Sequence, residues 1–272
     1  MSESVSFLQK HDFLLRRLHS LAGLIPVGLY MCVHLATNAS IMNGVESFQN
    51  AVYQIHSLGN ALVVVEWVFI FLPLLFHALY GIVLAFSGQV NVSRYNYGSN
   101  WRYVMQRATG LIAFVYIFGH VAHYHGWFHF GPWLEMMHGM GLAQFHPYNA
   151  ASTAAKALQA NILWQAFYLI GISACVFHFA NGLWTMGITW GVWTTPKAQI
   201  RANYVVSAIG VLVWVIGMSA FAGFVSLDTQ EAAEIENKMY VESVRTGRVI
   251  ANEEKLADPS IVAQMEEAAD KE

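Results

Sequence analysis

Charge is scarce in this sequence: Asp, Glu, Lys and Arg make up 11% of its 272 residues, less than half of the roughly 25% usual in a soluble domain. With 56% hydrophobic residues and a mean hydropathy of +0.42, lipid is the main solvent the chain has to satisfy. Cysteine is scarcer still. Cys32 and Cys175 both fall in apolar runs, where a thiol packs as a small hydrophobe. No C-x-x-C-H segment occurs, which excludes covalent attachment of a c-type haem. No run of Lys and Arg points to a nucleic acid partner. A cleavable leader is not expected either, because residues 2–17 are polar and the first apolar run is too long for a signal h-region.

The few charges are unevenly spread. Residues 1–227 hold five acids and nine bases, and residues 228–272 hold twelve acids and five bases, so +4 and −7 give the net −3. The expected organisation is a membrane body over 1–227 and an acidic extramembrane tail over 228–272, partly helical and partly disordered. Within the body, five segments reach the roughly 20 apolar residues a spanning helix needs: about 18–39, 60–86, 104–126, 161–187 and 204–226. The predicted fold is an all-α membrane protein with five transmembrane helices, four forming a core and one added. Lys10, Arg16 and Arg17 precede span 1, Arg94, Arg102 and Arg107 lie between or at the ends of spans 2 and 3, and Lys197 and Arg201 lie between spans 4 and 5. The opposite loops, 41–59 and 127–160, carry only Lys156. The positive-inside rule therefore places the N-terminus in the cytoplasm and the tail on the outer face.

Each of the first four spans carries a histidine: His34, His77, His120 and His178. One intramembrane histidine is ordinarily a neutral ring bonded to a nearby carbonyl, but four in successive spans indicate function. Depth sorts them. His34 lies 17 residues beyond Arg17 and His120 lies 18 beyond Arg102, about 25 Å along helices running outward. His77 and His178 lie some 17 residues into helices running inward. The pairs are thus His34 with His120 in the outer half and His77 with His178 in the inner half. Paired imidazoles facing across a bundle suit six-coordinate haem iron, whereas closed zinc sites want four ligands at one depth. Gly23, on the helical face of His34, and Gly81 and Gly182, each four residues past a histidine, leave room for a flat macrocycle or for close helix contact. The stretches Phe76-His77-Ala78-Leu79-Tyr80-Gly81 and Phe177-His178-Phe179-Ala180-Asn181-Gly182 suggest a two-helix unit used twice.

Arg16-Arg17-Leu18-His19-Ser20, Phe71-Leu72-Pro73 ahead of His77, Gln106-Arg107 with Thr109-Gly110, and Phe177-His178-Phe179-Ala180-Asn181-Gly182-Leu183-Trp184 together resemble the cytochrome b558 subunit family of bacterial succinate dehydrogenase and fumarate reductase. This is the single-polypeptide, five-helix dihaem anchor of menaquinone-using bacteria. The resemblance covers about residues 10–227 and excludes loop 127–160 and the tail. It implies two b haems, with His77 and His178 on the one nearer the iron–sulfur subunit and His34 and His120 on the farther one. It further implies a flavoprotein subunit with FAD, an iron–sulfur subunit, (mena)quinone as substrate and location in the bacterial cytoplasmic membrane. An oligomeric complex is compatible with it. Succinate chemistry itself belongs to the partner subunits.

Secondary candidates follow. Glu66 is the only acid within a span and sits eleven residues before His77, on its helical face and about 16 Å farther out. It is the candidate proton-transfer group for a quinone, the ordinary alternative being a solvated span end. Arg17, His19, Ser20 and Arg107 are candidate contacts for haem propionates, the arginines equally fitting positive-inside flanks. His123, His125, His129, His138 and His146 read as interfacial side chains rather than a metal site, and Trp127, Phe128, Phe130 and Trp133 as an aromatic belt. Rival functions are the dihaem anchor of a hydrogenase or nitrate reductase and, in another class, a proton or ion transporter with a histidine relay.

Overall fold

The computed structural model describes residues 10–128 and 130–262; His129 lies outside them. Among the described residues there is no β-strand, and nine principal helices follow one another: α1 (Asp12–Asn43), α2 (Val45–His56), α3 (Asn60–Ser87), α4 (Gly98–Tyr124), α5 (Gly131–Gly139), α6 (Ala150–Gln159), α7 (Ile162–Thr189), α8 (Pro196–Ser226) and α9 (Thr229–Arg245). Helices α1, α3, α4, α7 and α8 are long and apolar enough to cross a membrane. The shortest, α4 with 27 residues, is about 40 Å long and exceeds a hydrocarbon core of about 30 Å. Leu29, Val64, Phe69, Leu79, Val115, Ile170 and Val211 point outward, all at least 58% exposed. Such a surface is stable where hydrocarbon is the solvent, and there each backbone N–H and C=O needs a partner within its own helix. The chain is an all-α membrane protein.

Two expectations are corrected. The first and fifth spans run well past their apolar stretches, because a helix end still in the interface keeps satisfying its backbone internally. Segments 41–59 and 127–160, expected as connecting loops, carry α2, α5 and α6. Helix α2 follows α1 after a single residue, Gly44, whose φ of 106° is open to glycine and strained for other residues. Helices α2 and α6 each bury one side, so their short amphipathic pattern is helical although neither is apolar enough to register as a span.

By their contacts the residues form two compact units. The first comprises the chain up to His34, Val63–Phe114 and Ile172–Trp214. It holds two π-helical stretches, Gly23–Gly28 in α1 and Glu66–Phe71 in α3, which pack against each other. Pro26 lies inside one and Pro73 just beyond the other. Proline lacks an N–H and its ring clashes with the carbonyl four residues back; widening the turn relieves the clash without breaking the helix.

The second unit comprises Leu35–Leu62, Val115–Gly171 and the chain from Val215. In it residues 228–262 of the acidic tail are folded: α9 packs on α6 and α2, and Tyr53, Tyr148, Tyr240, Leu256 and Ile261 form a core. Its anchor is Glu236, fully buried. The Glu236 carboxylate accepts from the backbone N–H groups of Ala151 and Ser152 and from the Ser152 hydroxyl, capping the first turn of α6, where the helix dipole favours negative charge. Gln49 completes that end by accepting from Ala150 N–H and donating to Pro147 O. At its other end, Gln159 donates to the carbonyls of Phe224 and Leu227 at the close of α8.

Burial pushes the Glu236 carboxyl up to about 7 from its ordinary 4.5, outweighing the hydrogen bonds that hold it down. Because the folded-state value is raised, the stability this group contributes is complete below about pH 4.5 and is lost as pH rises through about 7. The difference is of the order of 3 kcal/mol. Limited proteolysis at Arg245, Arg248 and Lys255 should therefore be slow at pH 5 and faster by at least tenfold at pH 8.5, after correction for the protease's own profile. Glu236→Gln should flatten that dependence.

Candidate cofactor site

In the first unit, His77 of α3 and His178 of α7 face each other with ring centroids 6.0 Å apart and planes at 79°. Both rings are fixed in the same way. His77 Nδ1 lies 2.9 Å from the carbonyl of His19, and His178 Nδ1 lies 3.0 Å from that of Gln106. A carbonyl only accepts, so each Nδ1 carries the proton and each Nε2 keeps its lone pair. This is how metal-ligating histidines are oriented, the second nitrogen donating to a backbone carbonyl. A metal–nitrogen bond of about 2 Å on each side, plus about 1 Å from nitrogen to ring centre, separates two such rings by roughly 6 Å. By this spacing His77 and His178 could hold a metal such as haem iron between them.

Glycines make room for these rings. A Cβ on Gly23 would overlap Cε1 and Nδ1 of His77, and one on Gly110 would stand 2.9 Å from Cε1 of His178. Gly23 was expected on the face of His34, where a macrocycle would pass; instead it admits the His77 ring. The π-helical stretch Gly23–Gly28 lies between Gly23 and His34 and winds more slowly than an α-helix, turning the faces apart by roughly 100°. The stretch Glu66–Phe71 interrupts the register between Glu66 and His77 in the same way. Glu66 is half-buried at the start of that stretch and within electrostatic reach of Tyr30. Gly81 meets the His19 ring and Gly182 the Gln106 amide.

Gln106 and its neighbours were not singled out by the sequence as a positioning group. The Gln106 amide donates to the carbonyl of His178 at 3.2 Å and approaches His178 Nε2 at 3.4 Å. Asn181 donates to Gln106 Oε1 and to the carbonyl of Arg102, whose guanidinium in turn donates to Asn181 and Asn203 and lies over Trp184. The available signal was spacing: Arg102, Gln106 and Gly110 share a face of α4 at intervals of four.

The four candidate propionate contacts divide into two groups. Arg17 donates to the carbonyl of Thr189 and lies between Phe13 and Trp190, and Ser20 accepts from the Trp190 indole. Both tie the start of α1 to the end of α7. His19 and Arg107 differ. His19 stacks on His77 at 4.1 Å with planes 2° apart, and its Nδ1 is buried without a partner. Arg107 lies over Tyr103 and reaches two backbone carbonyls weakly, and its Nε is buried without a partner. Each leaves a buried polar nitrogen without a partner, His19 against His77 and Arg107 one residue past Gln106, and anionic groups of a cofactor would satisfy such nitrogens.

His34 stays in the first unit, stacked on Tyr30 at 5.6 Å. His120 lies in the second unit, with Nδ1 3.3 Å from the Tyr168 hydroxyl and its ring among Tyr116, Tyr124 and Tyr168. His123, expected as an interfacial side chain of a loop, is a buried residue of the last turn of α4. It lies flat on Trp164 at 3.7 Å with Nδ1 3.0 Å from the Tyr168 hydroxyl. It falls on the His120 side of the helix at an interval of three.

This chain is 35% identical over 221 residues to the succinate dehydrogenase cytochrome b558 subunit of Bacillus subtilis (strain 168), an alignment covering 79% of this chain and 98% of that one. The chain belongs to the cytochrome b558 subunit family of succinate dehydrogenase. No family model matches it. Since nearly the whole relative is aligned, the remaining fifth of this cytochrome b558-type chain is additional to the body the two share.

In this cytochrome b558 subunit the close approach at Gly23 makes a prediction about the imidazole pair. Gly23→Ala should displace His77 and destabilise the subunit by about 2 kcal/mol, as overpacking does. Gly110→Ala, with a looser contact, should cost less. Thermal unfolding of the purified complex in detergent ranks the two.

Proposed function

We propose that this subunit is the electron-transfer anchor of a succinate:quinone oxidoreductase, carrying electrons between an iron–sulfur subunit and (mena)quinone by way of two b haems. The feature that carries the reading is the His77–His178 pair: two imidazoles from different spans with ring centroids 6.0 Å apart, each with Nδ1–H on a backbone carbonyl, in a chain of this family. A b haem held at each histidine pair supplies a one-electron iron couple inside the membrane. His77 and His178 hold the inner one, with the carbonyls of His19 and Gln106 fixing the tautomer of each ligand. His34 and His120, placed at the outer depth by their distances along the spans, hold the second. His19 and Arg107 orient and neutralise propionates. Arg17 and Ser20 brace the two span ends beside them.

The basic ends of α1, α4 and α8 make the cytoplasmic face, where the iron–sulfur subunit docks and behind it the FAD-containing flavoprotein that handles succinate. Residues 1–227 form the membrane body, and residues 228–272 lie on the outer face. Glu66 is the acid available to hand a proton to reduced quinone at its carboxyl. A histidine-relay transporter is the rival reading, and it requires a colourless protein.

A reduced-minus-oxidised spectrum of the purified complex should show b-type bands equivalent to two haems. His77→Ala should remove one and spare the other; loss of both, or a wild-type complex without b-type bands, would contradict the assignment. Glu66→Gln should lower quinone reduction by about tenfold or more while leaving both haems in place, as measured by steady-state quinone reduction beside a haem count.

A further inference from the structure

The histidines assigned above as ligands are not held alike, and the difference assigns a role to a residue outside them. His77 and His178 donate to backbone carbonyls. Within the second unit, His120 Nδ1 meets a side chain, the Tyr168 hydroxyl, at 3.3 Å. Tyr168 is 4% exposed and its ring stands edge-on to that of His120, so the contact belongs to a packed interior. A second ring fixes the hydroxyl. His123 Nδ1 lies 3.0 Å from it, with the His123 ring clamped on Trp164. The Tyr124 ring packs 5.6 Å from that of Tyr168, and its hydroxyl donates to the carbonyl of Ala154 in α6.

Proton positions follow from the donor inventory. With Nε2 of His120 on iron, Nδ1 is the N–H and the Tyr168 oxygen must accept from it. The single Tyr168 proton then goes to His123 Nδ1, and the ring of His120 is held in one orientation. A phenol is a poorer acceptor than a peptide carbonyl and draws less electron density onto the imidazole. The ligand it supports is therefore less basic than His77 or His178 and stabilises ferric iron less.

We infer that Tyr168 is a positioning residue for His120, orienting its imidazole and tuning the haem it ligates separately from the haem at His77 and His178. This rests on the dihaem reading. That reading is checked first by counting two haems in the unmodified complex and assigning the inner one by its loss in His77→Ala. Tyr168→Phe removes the acceptor and leaves the packing. Two haems should remain, and in a potentiometric titration the haem that survives in His77→Ala should become easier to reduce. At a fixed poise its reduced-to-oxidised ratio should rise by about tenfold, while the other stays within twofold. The low-spin ferric EPR signal of that haem should shift as well, since the ring loses its orienting bond. Replacing Tyr168 with a ring-fluorinated tyrosine, nearly isosteric and a weaker acceptor, should move the same haem in the same direction by less, and it supplies the test if Tyr168→Phe does not assemble. Two haems present with neither shifted, both shifted equally, or only the inner one shifted would overturn the role of Tyr168 and leave the dihaem reading standing. Fewer than two haems in the unmodified complex would overturn the dihaem reading itself.

Discussion

The bond from an imidazole Nδ1–H to a backbone carbonyl organises this protein, because hydrocarbon offers a histidine no water. A neutral ring buried among spans has one donor and one acceptor nitrogen, and an unmet polar atom costs far more in lipid than at a surface. His77 and His178 each settle the donor on a neighbouring helix, through the carbonyls of His19 and Gln106. That choice fixes the tautomer and leaves the lone pair of each ring on Nε2. Much else in the first unit serves it. Gly23 and Gly110 are small where the rings pass, and the π-helical stretches beside Pro26 and Pro73 let the backbone reach around them.

The second unit meets the same constraint with a different chemistry. Polar side chains link the elements there: Tyr168 joins His120 and His123, Tyr124 bonds the carbonyl of Ala154, Gln159 the carbonyls at the end of α8, and Glu236 the N–H groups at the start of α6. Together these tie the acidic tail to the ends of the spans. Most of the chain's excess negative charge lies in this tail, yet among the described residues its one fully buried carboxylate sits where a helix dipole and three donors receive it. The other acids of residues 228–262 are exposed.

Length and polarity alone were enough to identify five spans, since a run of about 20 apolar residues has few other uses. Depth arithmetic set His77 beside His178, and those two rings do face each other, because helical rise is nearly constant. Facial register was less secure. An angle accumulated over eleven residues is spoiled by one widened turn, and so Gly23 was aligned with His34 when it adjoins His77. The short helices α2, α5 and α6 escaped notice for a related reason: their apolar faces answer to partners distant in sequence, and a window of ten residues does not contain those partners.

Sequence by itself determined that this is a helical membrane protein, that four histidines lie within its spans, and that it resembles the cytochrome b558 family, because hydropathy and motif are local in the chain. Tertiary structure decided which carbonyl holds each ring, which basic side chains are spent on bracing and which keep an unpartnered nitrogen. It also decided that His123 turns inward to share the Tyr168 hydroxyl, and that Glu236 is buried where its neighbours in sequence are not. Those are properties of pairs of residues far apart in the chain, and a hydrogen bond or a close approach exists only once folding has brought both partners to one place.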